Sequence, residues 1–250
     1  MIVDCHTHWS HNVGEPGDPT RFIAVMKSHN VTHAAIFPVL GLCDDTQIKA
    51  DHDDIAVVCQ KSGGMMLPFC TAAMWNTQYA IDEVNRCLGR LGFRGIKLHP
   101  WLQGFSLNMD VMDLICELAE SFDVPIFFHD GTPPFSLPSQ VGMLARRHPR
   151  VKLVLGHCGL FDMWREAITV LNTEPNLYGC ICGPYPAAIK EIINNGPTDR
   201  LVWGSDYGFS AADVYDYRLD MFERIGIESG RRTMIFEDNA RRLLRCKSLC

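Results

Sequence analysis

The feature that most constrains this chain is an alternation. Eight short apolar runs, at residues 2–5, 33–38, 66–72, 93–98, 124–128, 151–155, 176–182 and 201–203, are separated by longer amphipathic segments. Near-continuous apolar runs of this length read as parallel strands buried on both faces. The intervening segments, at 20–30, 51–62, 77–91, 109–122, 138–147, 163–172, 185–194 and 212–225, carry charge on one side and apolar residues on the other, so they read as helices. Pro38, Pro68, Pro125, Pro149 and Pro175 sit at the expected boundaries, where a missing N–H does least harm. A helical tail is expected at 237–245. Eight β-then-α units in 250 residues match a (β/α)8 TIM barrel in count and length. The competing fold, a doubly wound open sheet, would carry a glycine-rich phosphate turn after an early strand. Here the first run leads into His6-Thr7-His8 instead. No linker or internal repeat divides the chain, so one domain spanning residues 1–250 is expected.

Composition excludes several classes. Hydrophobic residues make up 47 % of the chain, too many for disorder. The longest apolar stretches break within about 10 residues, where a membrane span needs about 20. The net charge of −6, with no Lys/Arg cluster, argues against a nucleic-acid partner. Eleven cysteines without a Cys-x-x-Cys pair, in a chain that opens Met1-Ile2-Val3-Asp4 with no leader, point to reduced thiols and a cytoplasmic protein. Cys246 and Cys250, at the tail, are expected to be exposed.

Histidine placement is the strongest functional signal. His6 and His8 follow the first run, His129 the fifth and His157 the sixth, and Asp206 follows the eighth. In a barrel these carboxyl ends converge on one mouth. Residues i and i+2 of a strand point the same way, so His6 and His8 can both face inward. A lone histidine at a strand end is more often a core residue than a ligand; four histidines and an aspartate at such ends are not easily produced by packing. Imidazole and carboxylate together suit Zn²⁺, Mn²⁺ or Fe²⁺. In Gly95-Ile96-Lys97-Leu98-His99, Lys97 and His99 share the inner face. His11, His29, His33, His52 and His148 lack this placement and read as surface or structural.

Val3-Asp4-Cys5-His6-Thr7-His8, Gly95-Ile96-Lys97-Leu98-His99-Pro100, Phe128-His129-Asp130-Gly131, Gly156-His157-Cys158-Gly159, Trp203-Gly204-Ser205-Asp206-Tyr207 and Ile235-Phe236-Glu237-Asp238-Asn239-Ala240 follow one another across nearly the whole chain. In this order they resemble the amidohydrolase superfamily of metal-dependent barrels, in the branch that contains aminocarboxymuconate-semialdehyde decarboxylase. The resemblance implies one divalent metal held by His6, His8, His129 and Asp206, with Zn²⁺ the first expectation and Mn²⁺ or Fe²⁺ the alternatives. It implies that Asp206 carries a proton and that His157 polarises the substrate. Lys97 is expected below the metal without bridging a second one, and His99 beside it.

The loops after the runs are aromatic. Trp9, Trp75, Trp101, Phe135, Trp164 and Tyr207 are expected to line the mouth, and the loop stretches 9–12, 74–76, 101–105, 132–135, 160–164, 184–185 and 207–209 hold no Lys or Arg. A polycarboxylate would want an arginine clamp, so the expected substrate is small, ring-bearing, and neutral or monoanionic. The first expectation is hydrolysis of an amide or lactone by a metal-activated water. The alternatives are non-oxidative decarboxylation of a small aromatic acid and a non-catalytic barrel scaffold. A homo-oligomer is possible on this sequence.

Overall fold

A computed structural model describes residues 1–209 and 214–246. Its strands are β1 (Ile2–His8), β2 (Val31–Phe37), β3 (Met66–Cys70), β4 (Gly95–Leu98), β5 (Ile126–Phe128), β6 (Leu153–Leu155), β7 (Leu177–Ile181) and β8 (Leu201–Trp203). They form one sheet in sequence order, and every neighbouring pair is parallel. The sheet closes on itself. Thr7 bridges Tyr207, the His8 N–H donates to the Tyr207 carbonyl at 2.7 Å, and the Asp206 N–H donates to the His6 carbonyl at 2.8 Å. This is a (β/α)8 barrel.

The helices among the described residues are α1 (Thr20–Ser28), α2 (Leu40–Cys43), α3 (Ile48–Lys61), α4 (Thr77–Asn85), α5 (Asp110–Phe122), α6 (Pro138–Arg147), α7 (Trp164–Thr173), α8 (Pro186–Asn195), α9 (Val214–Ile225), α10 (Ser229–Thr233) and α11 (Asn239–Leu244). None is long and apolar enough to cross a membrane. The expected start of the eighth helix at residue 212, and the exposure of Cys250, lie outside the described residues. Cys246 is half-buried against the interior cluster rather than exposed.

Two apolar clusters explain the closure. One alternates along the strands: Val3 and Cys5, Ala35 and Phe37, Leu67 and Phe69, then Phe127, Val154, Cys180 and Val202. These fill the barrel's interior, and Ala240, Leu243 and Leu244 of α11 join them as a plug. The other cluster holds the opposite strand faces, including Ile96, Leu98, Ile126, Phe128, Leu153, Leu155 and Trp203, packed against the helices. Strands apolar on both faces are what this two-layer packing requires.

In β1 the alternation breaks. Asp4 pairs with Ala34 and Thr7 with Ile36, three residues against two. This is a bulge, which bends a strand and re-aims its side chains. Val3 and Cys5 point into the interior, and beyond the bulge His6 and His8 take over the inner position, both meeting the Phe37 ring edge-on.

Candidate active site

His6 and His8 end β1, Lys97 lies on β4, His99 and His129 follow β4 and β5, His157 follows β6, Cys182 follows β7 and Asp206 follows β8. All but His6 line one cavity of about 220 Å³, together with Leu160, Phe161, Gly183, Phe209 and Arg218. That is smaller than the roughly 300–1,000 Å³ of drug-sized ligand pockets, and suits a single substituted ring.

At the mouth, His6, His8 and Asp206 each offer a ligand atom, and these atoms lie within 4.8 Å of one another. Asp206 Oδ1 lies 3.5 Å from His6 Nε2 and 3.3 Å from His8 Nε2. The His6 Nδ1 faces the Gly156 carbonyl at 3.0 Å and the His8 Nδ1 faces the Pro38 carbonyl at 3.4 Å. A carbonyl can only accept, so each Nδ1 carries a hydrogen, which leaves each Nε2 as the ring nitrogen open to a metal. Ligating histidines are commonly oriented this way. Asp206 holds its carboxylate there from a left-handed backbone, with φ of 66°, which a non-glycine residue seldom adopts. At Gly204 a Cβ would lie 2.6 Å from the His6 Cβ and 2.8 Å from the Cys180 Sγ, so β8 reaches β1 only because that residue is glycine. The donor set of two imidazoles and one carboxylate fits a divalent transition metal.

His129 stands in the same cavity but outside this trio. It stacks on His99 with ring centroids 3.8 Å apart, and its Nε2 is 3.1 Å from the Thr132 hydroxyl. His157 lies between, with centroids 4.4 Å from His129 and 4.6 Å from His6. Asp130 fixes the His157 turn, accepting from the backbone N–H groups of His157 at 2.7 Å and Gly159 at 2.6 Å. Burial lifts the Asp130 carboxyl to about 6 against those two bonds.

Lys97 is fully buried, with Nζ 3.2 Å from His6 Nε2 and 5.0 Å from the centre of the Phe37 ring. Burial pulls its ammonium down to about 8, although Asp206 pulls the other way. Burial, Lys97 and His157 hold His6 far below its ordinary value; burial, His129 and Lys97 do the same to His157. Burial followed by Lys97 brings His129 to about 3. These rings are neutral at neutral pH, the form in which imidazole binds a metal.

The mouth departs from the sequence expectation. Trp9, Trp164 and Tyr207 are 4 %, 7 % and 1 % exposed and belong to the shell between strands and helices. Trp9 donates its indole N–H to Asp54 at 2.5 Å, and Tyr207 packs edge-on to Phe22. They hold loops to the barrel. Trp75, Trp101 and Phe135 are exposed but do not line the cavity. Its aromatic walls are Phe161 and Phe209. Arg218, on α9, enters the cavity from a part of the chain that sequence reasoning read as an ordinary amphipathic helix. The expectation of a mouth without basic side chains is therefore corrected. Cys182 was also missed: its thiol lies 3.1 Å from His157 Nδ1 and 3.0 Å from the Gly156 carbonyl.

The amidohydrolase family profile matches residues 3–246. The chain belongs to the amidohydrolase family. Among curated relatives, gamma-resorcylate decarboxylase of Rhizobium sp. (strain MTP-10005) is 24 % identical over 257 aligned residues, covering 78 % of this chain and 74 % of the relative. The gamma-resorcylate decarboxylase of Polaromonas sp. is 23 % identical, covering 71 % and 69 %. Among solved structures, 2,6-dihydroxybenzoate decarboxylase from Rhizobium superposes with a TM-score of 0.77 at 18 % identity, over 98 % of each chain. A dihydroxybenzoic acid decarboxylase from Polaromonas, with bound manganese and 2-nitroresorcinol, superposes at 0.75 and 18 %, over 98 % of this chain and 97 % of that one. This amidohydrolase is an enzyme by its family, and its His6–His8–Asp206 donor set fits a divalent ion.

Proposed function

We propose that this amidohydrolase is a metal-dependent, non-oxidative decarboxylase of a small hydroxylated aromatic acid. The observation that carries the reading is a one-ring cavity floored by a divalent-cation donor set, in a chain whose curated relatives are gamma-resorcylate decarboxylases. Hydrolysis, which the sequence puts first, draws its support from the family match alone.

On this reading His6, His8 and Asp206 would hold the metal, and His129, in the same cavity, would join them as a further ligand. A bound divalent cation supplies Lewis-acid charge for a substrate oxyanion. Decarboxylation needs one proton at the ring carbon that bears the carboxylate. The C–C bond then breaks, its electron pair restores the aromatic ring, and carbon dioxide leaves. Asp206 carries that proton; its side chain is 18 % exposed, while those of His6 and His8 are 0 % and 4 % exposed, so it can recover a proton from solvent. His157, 4 % exposed and held by Asp130, hydrogen-bonds the departing carboxylate where charge shifts. Phe161 and Phe209 flank the ring.

The test uses protein loaded with Mn²⁺ or Zn²⁺ and a panel of mono- and dihydroxybenzoates beside aromatic lactones and amides of matched size. Carbon dioxide release from the hydroxybenzoates, with the decarboxylated phenol as co-product, is the expected result. Hydrolysed lactone or amide without carbon dioxide release would return the protein to the hydrolases.

A further inference from the structure

Resting on that decarboxylase reading, we propose that Arg218 is the specificity-determining residue of the cavity and that the substrate carries a second acidic group, a carboxylate that the reaction leaves in place. Arg218 is half-buried on α9 and lines the same cavity as the donor set. Its Nε is buried and has no hydrogen-bond partner among the described residues. The one carboxylate among the cavity's lining residues, Asp206, is turned to His6 and His8 instead. A buried, unpartnered donor is costly and uncommon, and calls for a group that satisfies it.

The helix that carries it is well anchored. Tyr215 of α9 stacks on His29 at 4.9 Å between centroids, and Val214, Tyr215, Met221 and Phe222 are buried. The packing fixes the helix at the cavity wall, and the Arg218 guanidinium carbon lies 5.6 Å from the centre of the neighbouring Tyr217 ring, which leaves its Nε without a hydrogen-bond partner. Its planar fork matches a carboxylate with two parallel N–H···O bonds.

Charge points the same way. Lys97 and Arg218 line the cavity against a single carboxylate, Asp206, and a divalent ion in the donor set would add to the positive side. Lys97 sits beside His6 of the donor set, so an acidic group bound there faces it, whereas Arg218 needs an anion of its own. An aromatic ring with one acidic group at the donor set and a carboxylate at Arg218 supplies both, and a cavity of about 220 Å³ holds such a ring.

The experiment is equilibrium binding to metal-loaded protein, by titration calorimetry, with benzoate and isophthalate as probes. Wild type should bind isophthalate about tenfold or more tightly than benzoate, as a charged hydrogen-bonded pair implies. Arg218→Met should bring the two probes to within about twofold, mainly by weakening isophthalate, and Arg218→Lys should fall between. Thermal melts of the variants check that each is folded. Equal binding of both probes to wild type, or an isophthalate preference that survives in folded Arg218→Met, overturns the proposal. The two readings separate cleanly. Carbon dioxide release from monocarboxylates, without an Arg218-dependent preference, removes the arginine assignment and leaves the decarboxylase. An Arg218-dependent preference in a protein that releases no carbon dioxide does the reverse.

Discussion

Replacing His6 by alanine removes an imidazole whose Nδ1 is already tied to Gly156, so no neighbour can supply its lone pair. His6→Ala and His8→Ala should retain less than about a tenth of the wild-type metal after desalting, read by elemental analysis, whereas wild type holds about one equivalent. His157→Ala should keep the metal and lose turnover by about 10²–10⁴-fold, the usual worth of a positioned proton donor or acceptor. An emptied site in His157→Ala would make His157 a ligand and redraw the donor set. The histidines and Asp206 were legible in the sequence because polar residues at the ends of apolar strands have no packing reason to be there. Arg218 was not, because on an amphipathic helix an arginine looks like part of a solvated face; only the three-dimensional course of α9 turns it inward. Trp9, Trp164 and Tyr207 misled for a related reason. An aromatic residue after a strand reads the same whether it faces a ligand or pins its loop to a helix, and these three do the second.

Among the elements, α3 and α4 are joined by a buried ionic network. His52 Nδ1 is 2.8 Å from Glu83 Oε1 and 3.2 Å from Cys87 Sγ, Arg86 forks onto Glu83, and His52 Nε2 accepts from the Thr71 N–H just after β3. Burial pulls His52 down, but the Cys87 and Glu83 contacts outweigh it and lift it to about 9. Burial pushes Glu83 up, but Arg86 and His52 outweigh it and bring it to about 2. The signs are opposite. The raised histidine stabilises fully below its unfolded value of 6.5 and loses that contribution as pH rises through 9. The depressed glutamate stabilises above its unfolded value of 4.5 and loses that as pH falls through 2. The network is therefore worth most between pH 4.5 and 6.5. Glu83→Gln should cost about 3–5 kcal/mol there, since it leaves a buried partner uncompensated. Denaturant melts of wild type and variant should converge as pH is raised from 6.5 towards 9.5; a gap that stays constant would show that His52 does not titrate. The sequence reading of His52 as structural agrees with this placement. The bulge in β1 was hidden, because Val3/Cys5 and His6/His8 each keep a strand's two-residue period, and only the pairing with β2 shows the change of phase between them.

Across the whole molecule, the eight strands share one continuous interior, so the single-domain expectation becomes a measurable one: a single cooperative unfolding transition, coincident by circular dichroism and tryptophan fluorescence. Two separated transitions would divide the chain. Leu243→Ala, in the α11 plug, should destabilise by about 2–5 kcal/mol although it lies far along the chain from every strand it touches. The eightfold alternation made this architecture readable because each unit repeats one packing problem. What the alternation leaves unsaid is how the ring closes, and that seam has a consequence in time. His6 and His8 are made first, and Asp206 two hundred residues later. The three donors come together only across the β8–β1 seam, where Asp206 and Tyr207 bond back to β1. A nascent chain therefore carries two thirds of this donor trio through the making of those two hundred residues without being able to complete it. Cofactor loading becomes a late event, gated by the arrival of the last strand, and a chain cut short of Asp206 has no route to a finished centre.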